Sequence, residues 1–175
     1  MKNTKHIILA ISLVFSITLQ IYSQNDTINQ RITLHNIQVN IIPPKHFDVD
    51  TSNNRISHQG TMSSIQIRKV NGRSFRKITS AMTKEYIAAQ GFELLEKKEI
   101  TMQDGSEAEI LRCRFSSHDT NGKVMNFIRL MLFTGNDDTI WATADFPECM
   151  EKLIGTPIRN SITTISSKYF DTSTH

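Results

Sequence analysis

Cysteine is scarce. The 175 residues hold only Cys113 and Cys149, too few for a disulfide scaffold, and with six scattered histidines they give no zinc-ligand spacing. Glycine and proline are also few, at seven and four, and there is a single Trp. Charged residues make up 21% and apolar residues 38%, an ordinary globular balance that excludes a disordered, collagen-like or coiled-coil chain. The net charge is only +3 and no polybasic tail is present, so a dedicated nucleic-acid binder is excluded as well. The catalytic signatures His-Glu-x-x-His, Gly-x-Ser-x-Gly, Gly-x-Gly-x-x-Gly, the P-loop and Cys-x-x-Cys are all missing. Their absence does not exclude an enzyme, but it removes every motif argument for one, and no cofactor is implied.

One long apolar run is present, and it is N-terminal. Lys2 and Lys5 precede an uncharged stretch from Ile7 to Ile21, and small Ser23 comes just before the polar Gln24-Asn25-Asp26. Residues 1–23 therefore read as a secretory signal peptide cleaved near Ser23. The alternative is a membrane anchor, but the run is interrupted by Ser, Thr and Gln and falls short of the roughly 20 apolar residues a spanning helix needs. No cysteine follows it before Cys113, which excludes lipid attachment. The expectation is an exported chain, periplasmic or secreted, with no membrane anchor after cleavage. A polar leader at 24–36, one domain at 37–170 and a frayed tail at 171–175 complete the organisation.

The rest punctuates itself. Ile37 to Ile42 alternates until Pro43-Pro44 ends it, residues 48–60 are polar and turn-rich, and Ser64 to Val70 reads as a strand. Phe75, Ile78, Met82, Tyr86 and Ile87 fall at helical spacing and predict one helix stopped by Gly91. Four strands then form an antiparallel meander: Phe92–Met102, Glu107–Ser116, Val124–Thr134 and Thr139–Phe146. Asp104-Gly105 and Asn121-Gly122 supply the first two hairpin turns. Pro147 predicts a helix start with Met150, Leu153 and Ile154 apolar, and Thr156-Pro157 restarts it after Gly155.

This order resembles the PsbP/DcrB-like family. The residues that carry the likeness are Ile42-Pro43-Pro44-Lys45-His46-Phe47, Ser64-Ile65-Gln66-Ile67, Gln90-Gly91-Phe92-Glu93-Leu94-Leu95, Asp104-Gly105-Ser106-Glu107-Ala108 and Ala144-Asp145-Phe146-Pro147, spanning roughly residues 37–167. The resemblance implies an α+β fold: an antiparallel sheet containing the meander, flanked by helices on both faces. It also implies an exported or lumenal accessory protein rather than an enzyme. Many bacterial members are lipoproteins, and this chain lacks the lipidated cysteine.

The candidate functional residues are mostly basic. If Asn121-Gly122 are the two central residues of their turn, Arg114 faces Arg129 directly, with Arg112 nearby on the same face. Phe115/Ile128, Cys113/Leu130 and Leu111/Leu132 then fall on the other face. Like charges directly opposite are destabilising, so Glu96 from the preceding strand or an anionic ligand should neutralise them. Arg73, Arg76 and Lys77 form a second basic group near a helix start, against the helix dipole, either as a solvated face or as an anionic partner's surface. Metal binding has one weak candidate, His46, Asp48 and Asp50, which share a face if extended. The same segment fails as a calcium loop, because Asn53 and Gln59 replace the turn Gly and the bidentate Glu. A Cys113–Cys149 bridge would add about 3–4 kcal/mol by chain entropy, although Cys113 reads as mid-strand core and Cys149 as the opening of a helix. Cys113 as a nucleophile would need a nearby base, and His118 lies toward a turn.

The expected function is an exported, non-enzymatic accessory protein of the cell envelope that binds a protein partner or a small anionic group, not nucleic acid. The alternatives are a metal-dependent hydrolase using dispersed residues such as His46, Asp48 and His118, and an immunity-type protein that inhibits a toxin.

Overall fold

The computed structural model describes residues 30–118 and 122–168. The leader at 1–23, the tail at 171–175 and Asn121 of the second hairpin lie outside them. Nine strands and three helices are assigned among the described residues: β1 (Ile32–Leu34), β2 (Val39–Ile41), β3 (Asp48–Asp50), β4 (Arg55–His58), β5 (Ser63–Val70), α1 (Phe75–Ser80), α2 (Lys84–Ala89), β6 (Glu93–Thr101), β7 (Glu107–His118), β8 (Val124–Thr134), β9 (Thr139–Pro147) and α3 (Thr156–Ile162).

The four long strands expected from the turn signals are present, and the fold is the expected antiparallel sheet with helices on both faces. Seven strands form it in the order β3-β4-β5-β9-β8-β7-β6. β1 and β2 form a separate pair, tied to the C-terminal segment by a bridge between Asn40 and Ser166. Leu34 is buried, so the packed structure already includes β1, within the stretch whose composition reads as a leader. β3 and β4 also escape a sequence reading, because the stretch is polar and turn-rich; pairing of β4 with β5, and of β3 with β4, makes them strands.

Both faces are covered over β8, which is why its Leu130–Phe133 stretch is continuously apolar and buried, whereas β9 alternates buried Ile140, Ala142, Ala144 and Phe146 with half-exposed Trp141, Thr143 and Asp145. One face presents Ile65, Ile67, Ile110, Ile128, Leu130 and Phe146, covered by β1–β2 and by Ile154, Ile158, Ile162 and Ile165 from the C-terminal segment. The other presents Leu111, Cys113, Met131 and Phe133 to Phe75 of α1 and Ile87 of α2.

Three local expectations are corrected. The single helix from Phe75 to Ile87 is two short ones. The Thr83 hydroxyl accepts from the Tyr86 N–H at 3.1 Å, capping α2 and ending continuity with α1. Lys97 reaches back from β6 to donate to the Thr79 carbonyl at 2.6 Å, placing a cation at the C-terminal end of α1. Tyr86 is 47% exposed rather than core. Pro147 closes β9 instead of opening a helix; a 3-10 turn (Glu148–Met150) and a wider turn (Glu151–Gly155) lead into α3, and Leu153 points outward at 66% exposure.

The third correction is the β7–β8 register. Arg114 lies opposite Ile128, Cys113 opposite Arg129 and Phe115 opposite Phe127, one residue away from the pairing that a two-residue Asn121-Gly122 turn would give. A one-residue slip moves every side chain of one strand to the other face. Arg129 therefore lies on the face that carries α1 and α2, while Arg112 and Arg114 lie on the face that carries α3.

Candidate functional site

The register removes the premise that the three arginines oppose one another. Each is neutralised inside the protein, by hydrogen-bonded carboxylates other than Glu96, which stands opposite Arg112 on β6 and adds only a through-space attraction. Arg112 donates through Nε and Nη2 to the two Glu151 oxygens at 2.8 and 2.7 Å. Arg114 donates to Glu148 at 2.8 Å and to Glu93 at 3.0 Å. Arg129 grips Asp145, directly opposite it on β9, through two bonds of 2.7 and 2.6 Å, and its guanidinium lies 4.8 Å from the Phe92 ring centre and 5.1 Å from that of Phe115. Glu96 bonds Lys98 at 2.8 Å and lies 3.6 Å from Arg159. Bidentate, charge-assisted bonds of this kind fix geometry as well as charge. They hold the Arg112, Arg114 and Arg129 pKa values above the ordinary arginine range, chiefly through Glu151, Glu148 and Asp145 respectively.

The second basic group is divided. Arg76 bridges Glu99 at 2.9 Å and Glu107 at 2.8 Å, while Arg73 and Lys77 are exposed. His46, Asp48 and Asp50 do not share one face. His46 has a φ of 65°, which breaks the strand alternation before β3. Asp50 folds its carboxylate into its own turn, accepting from Ser52 and Asn53, which pulls its pKa down to about 2. Among the described residues no three His, Cys, Asp or Glu side chains gather as a metal site. The dispersed residues of a hydrolase are not brought together either. β3, just after His46, and β7, which ends at His118, are separated by four strands, on the order of 24 Å at the usual strand spacing. The two cysteines are free thiols, Cys113 buried and Cys149 exposed, so the bridge left open by the sequence is not formed. Burial pushes the Cys113 thiol up to about 11, the wrong direction for a nucleophile.

Two features lay beyond sequence reasoning. The first is an open half of the sheet. α1 and α2 pack on β6, β7 and β8, while on the same face Ser57, Ser64, Gln66 and Thr143 of β4, β5 and β9 stay half-exposed and Arg55 and Arg68 are exposed. Trp141 stacks on Phe133 with ring centres 5.2 Å apart at the edge of the covered half, with its buried Nε1 unpaired. The second is a cavity of about 410 Å³ where the β6–β7 and β8–β9 turns meet the C-terminal segment. Asp104, only 6% exposed, anchors one wall by accepting from the Ser106 N–H at 2.9 Å and the Ser166 hydroxyl at 2.6 Å. Burial pushes its pKa up, but the bonds from Ser106 and Ser166 outweigh that and hold it below the usual aspartate value. Opposite, Asp138 accepts from the Gly72 N–H at 2.8 Å and pairs with Lys69 at 3.0 Å. In sequence, Asp104-Gly105 and Asp137-Asp138 carry only turn signals; nothing local says that the two turns meet.

No family model matches the chain, and no curated protein matches it in sequence. Among solved structures it is similar to the solution structure of cyanobacterial PsbP (CyanoP) from Synechocystis sp. PCC 6803, at 14% identity and a TM-score of 0.53, with 82% of this chain and 95% of that chain covered. It is also similar to PA94 from Pseudomonas aeruginosa, a protein of unknown function described as a candidate regulator, at 14% identity and a TM-score of 0.51, covering 77% and 94%. At such identity the likeness speaks for the fold alone, and that fold is PsbP-like.

Proposed function

We propose that this chain is an exported, non-enzymatic accessory protein of the cell envelope that works by binding a protein partner through the open half of its sheet. One observation carries the reading: α1 and α2 cover only β6, β7 and β8, and on the same face Arg55 and Arg68 stay exposed and Ser57, Ser64, Gln66 and Thr143 half-exposed. The accessory role implied by the PsbP/DcrB-like resemblance agrees, and the charged-then-apolar start of the sequence supports export. No helix among the described residues is long and apolar enough to cross a membrane.

In-cell crosslinking followed by affinity capture and mass spectrometry tests the binding. A stoichiometric partner is expected that is lost when Thr143→Arg puts a bulky charge on the open half, and kept with Lys77→Glu on the exposed side of α1. A partner insensitive to Thr143→Arg, or none, overturns the reading. N-terminal mass spectrometry of the mature protein tests export: a chain beginning at Gln24 outside the cytoplasm is expected, and an intact Met1 inside it is the contrary result.

A further inference from the structure

The cavity beneath the two turns is built from side chains of both signs. Lys69 and Lys168 line it, each tied to a carboxylate: Lys69 to Asp138 at 3.0 Å, and Lys168 to Asp104 at 3.9 Å, with its ammonium also donating to the Asp104 carbonyl at 3.0 Å. An ammonium has three N–H donors, so both keep donors to spare. Asp137 also lines the cavity and is exposed, with no ion-pair partner among the described residues. Ile37, Ile140 and Ile165 give the same space an apolar floor. A purely anionic ligand would meet three carboxylates there, and a purely cationic one would meet two ammonium groups. A molecule bearing both charges satisfies Asp137 and the spare lysine donors at once, and an aliphatic body covers the floor. A volume of about 410 Å³ lies within the range of small-molecule sites.

We infer that this cavity is a binding site for a small zwitterion with an aliphatic side chain, of the size of an amino acid or dipeptide, its ammonium at Asp137 and its carboxylate at Lys168. The inference rests on the reading of the chain as a binding protein and concerns a place away from the open half of the sheet.

Isothermal titration of the purified protein with L-leucine and dileucine tests it, beside N-acetyl-leucine, which lacks the ammonium, and leucinamide, which lacks the carboxylate. Saturable binding of leucine or dileucine is expected, with each single-charge analogue at least about tenfold weaker. Asp137→Asn is expected to weaken binding about tenfold with an unchanged thermal melt, since Asp137 is exposed. Lys168→Gln is expected to weaken it too, but that lysine also clamps Asp104, so Asp137→Asn is the deciding variant. No saturable heat up to about 10 mM, equal binding of either analogue, or an unaltered affinity in Asp137→Asn overturns the inference. Mass spectrometry of the recovered ligand keeps the two proposals separate: chemical conversion would count against the non-enzymatic reading and leave the site standing, while absence of binding removes the site and leaves the partner reading untouched.

Discussion

The Arg129–Asp145 pair is the interaction on which the inner register of the sheet can be tested by mutation. Both side chains are about three-quarters covered, at 26% and 28% exposure, and their two bonds are bidentate. Arg129→Met keeps much of the stem's bulk but leaves the Asp145 carboxylate half-buried without its partner. Breaking a fully buried pair costs about 3–5 kcal/mol, and discounting for the exposed quarter gives about 2–3 kcal/mol. The two aromatic contacts of the guanidinium add about 0.5–1 kcal/mol each, so a total loss of about 3–5 kcal/mol is expected, or roughly 6–20 °C in melting temperature for a chain of this size. Urea unfolding followed by circular dichroism on Arg129→Met, Asp145→Asn and the double variant isolates the pairwise part. A coupling energy of about 1.5–3 kcal/mol is expected. A coupling under about 0.5 kcal/mol, the value of an exposed surface pair, would refute the reasoning that this pair is desolvated and directional.

Three further outcomes are expected. Asp104 is held below the usual aspartate value of 3.8, so its contribution to stability is complete above that value and is lost as pH falls through the lower folded value; the urea midpoint should drop on acidification below about pH 4, and Asp104→Asn should flatten that drop, whereas an unchanged profile would contradict the assignment. With the Cys113 thiol buried and raised to about 11, a thiol reagent at mildly alkaline pH should label one cysteine quickly, Cys149, and the second only after denaturation; fast labelling of both would place Cys113 at the surface. Gly135 has a φ of 101°, and a Cβ there would collide with the Asp138 carbonyl oxygen, so Gly135→Ala should cost about 2–3 kcal/mol by thermal melt, and a neutral effect would show that the turn can rearrange.

What could be read locally was read correctly where one rule was enough. Asp104-Gly105 closes the first hairpin, with Gly105 at a φ of 80°, and the prolines at 43 and 44 follow the end of β2. The two-helix break at Thr83 was missed because the apolar period runs through it, and a cap hydroxyl competes with helix continuation only once Lys97 and Thr83 supply bonds to the interrupted turn. β3 and β4 escape a local reading because each offers a single apolar residue, Val49 and Ile56, and their strand character comes from β4 pairing with β5 and β3 with β4.

The candidate site divides the same way. Composition and pattern identified the arginines as unusual for a sheet and required that something neutralise them, but they named the wrong carboxylate and the wrong neighbour. In a sheet buried on one face only, alternation would have fixed the register. At β7 and β8 both faces are covered, so Phe115 opposite Ile128 and Phe115 opposite Phe127 are equally acceptable to a hydrophobic pattern. The choice falls to Asp145, sixteen residues from Arg129, and to the aromatic contact with Phe92, just before the edge strand β6. The amino-acid order thus dictates elements whose signals lie within a few residues: turns, strand lengths, apolar stripes and the N-terminal apolar run. Register, charge partners and the cavity beneath the turns come from groups distant in the chain that meet only when the sheet closes, because an ion pair or a shared wall has no energy until both halves share the same space.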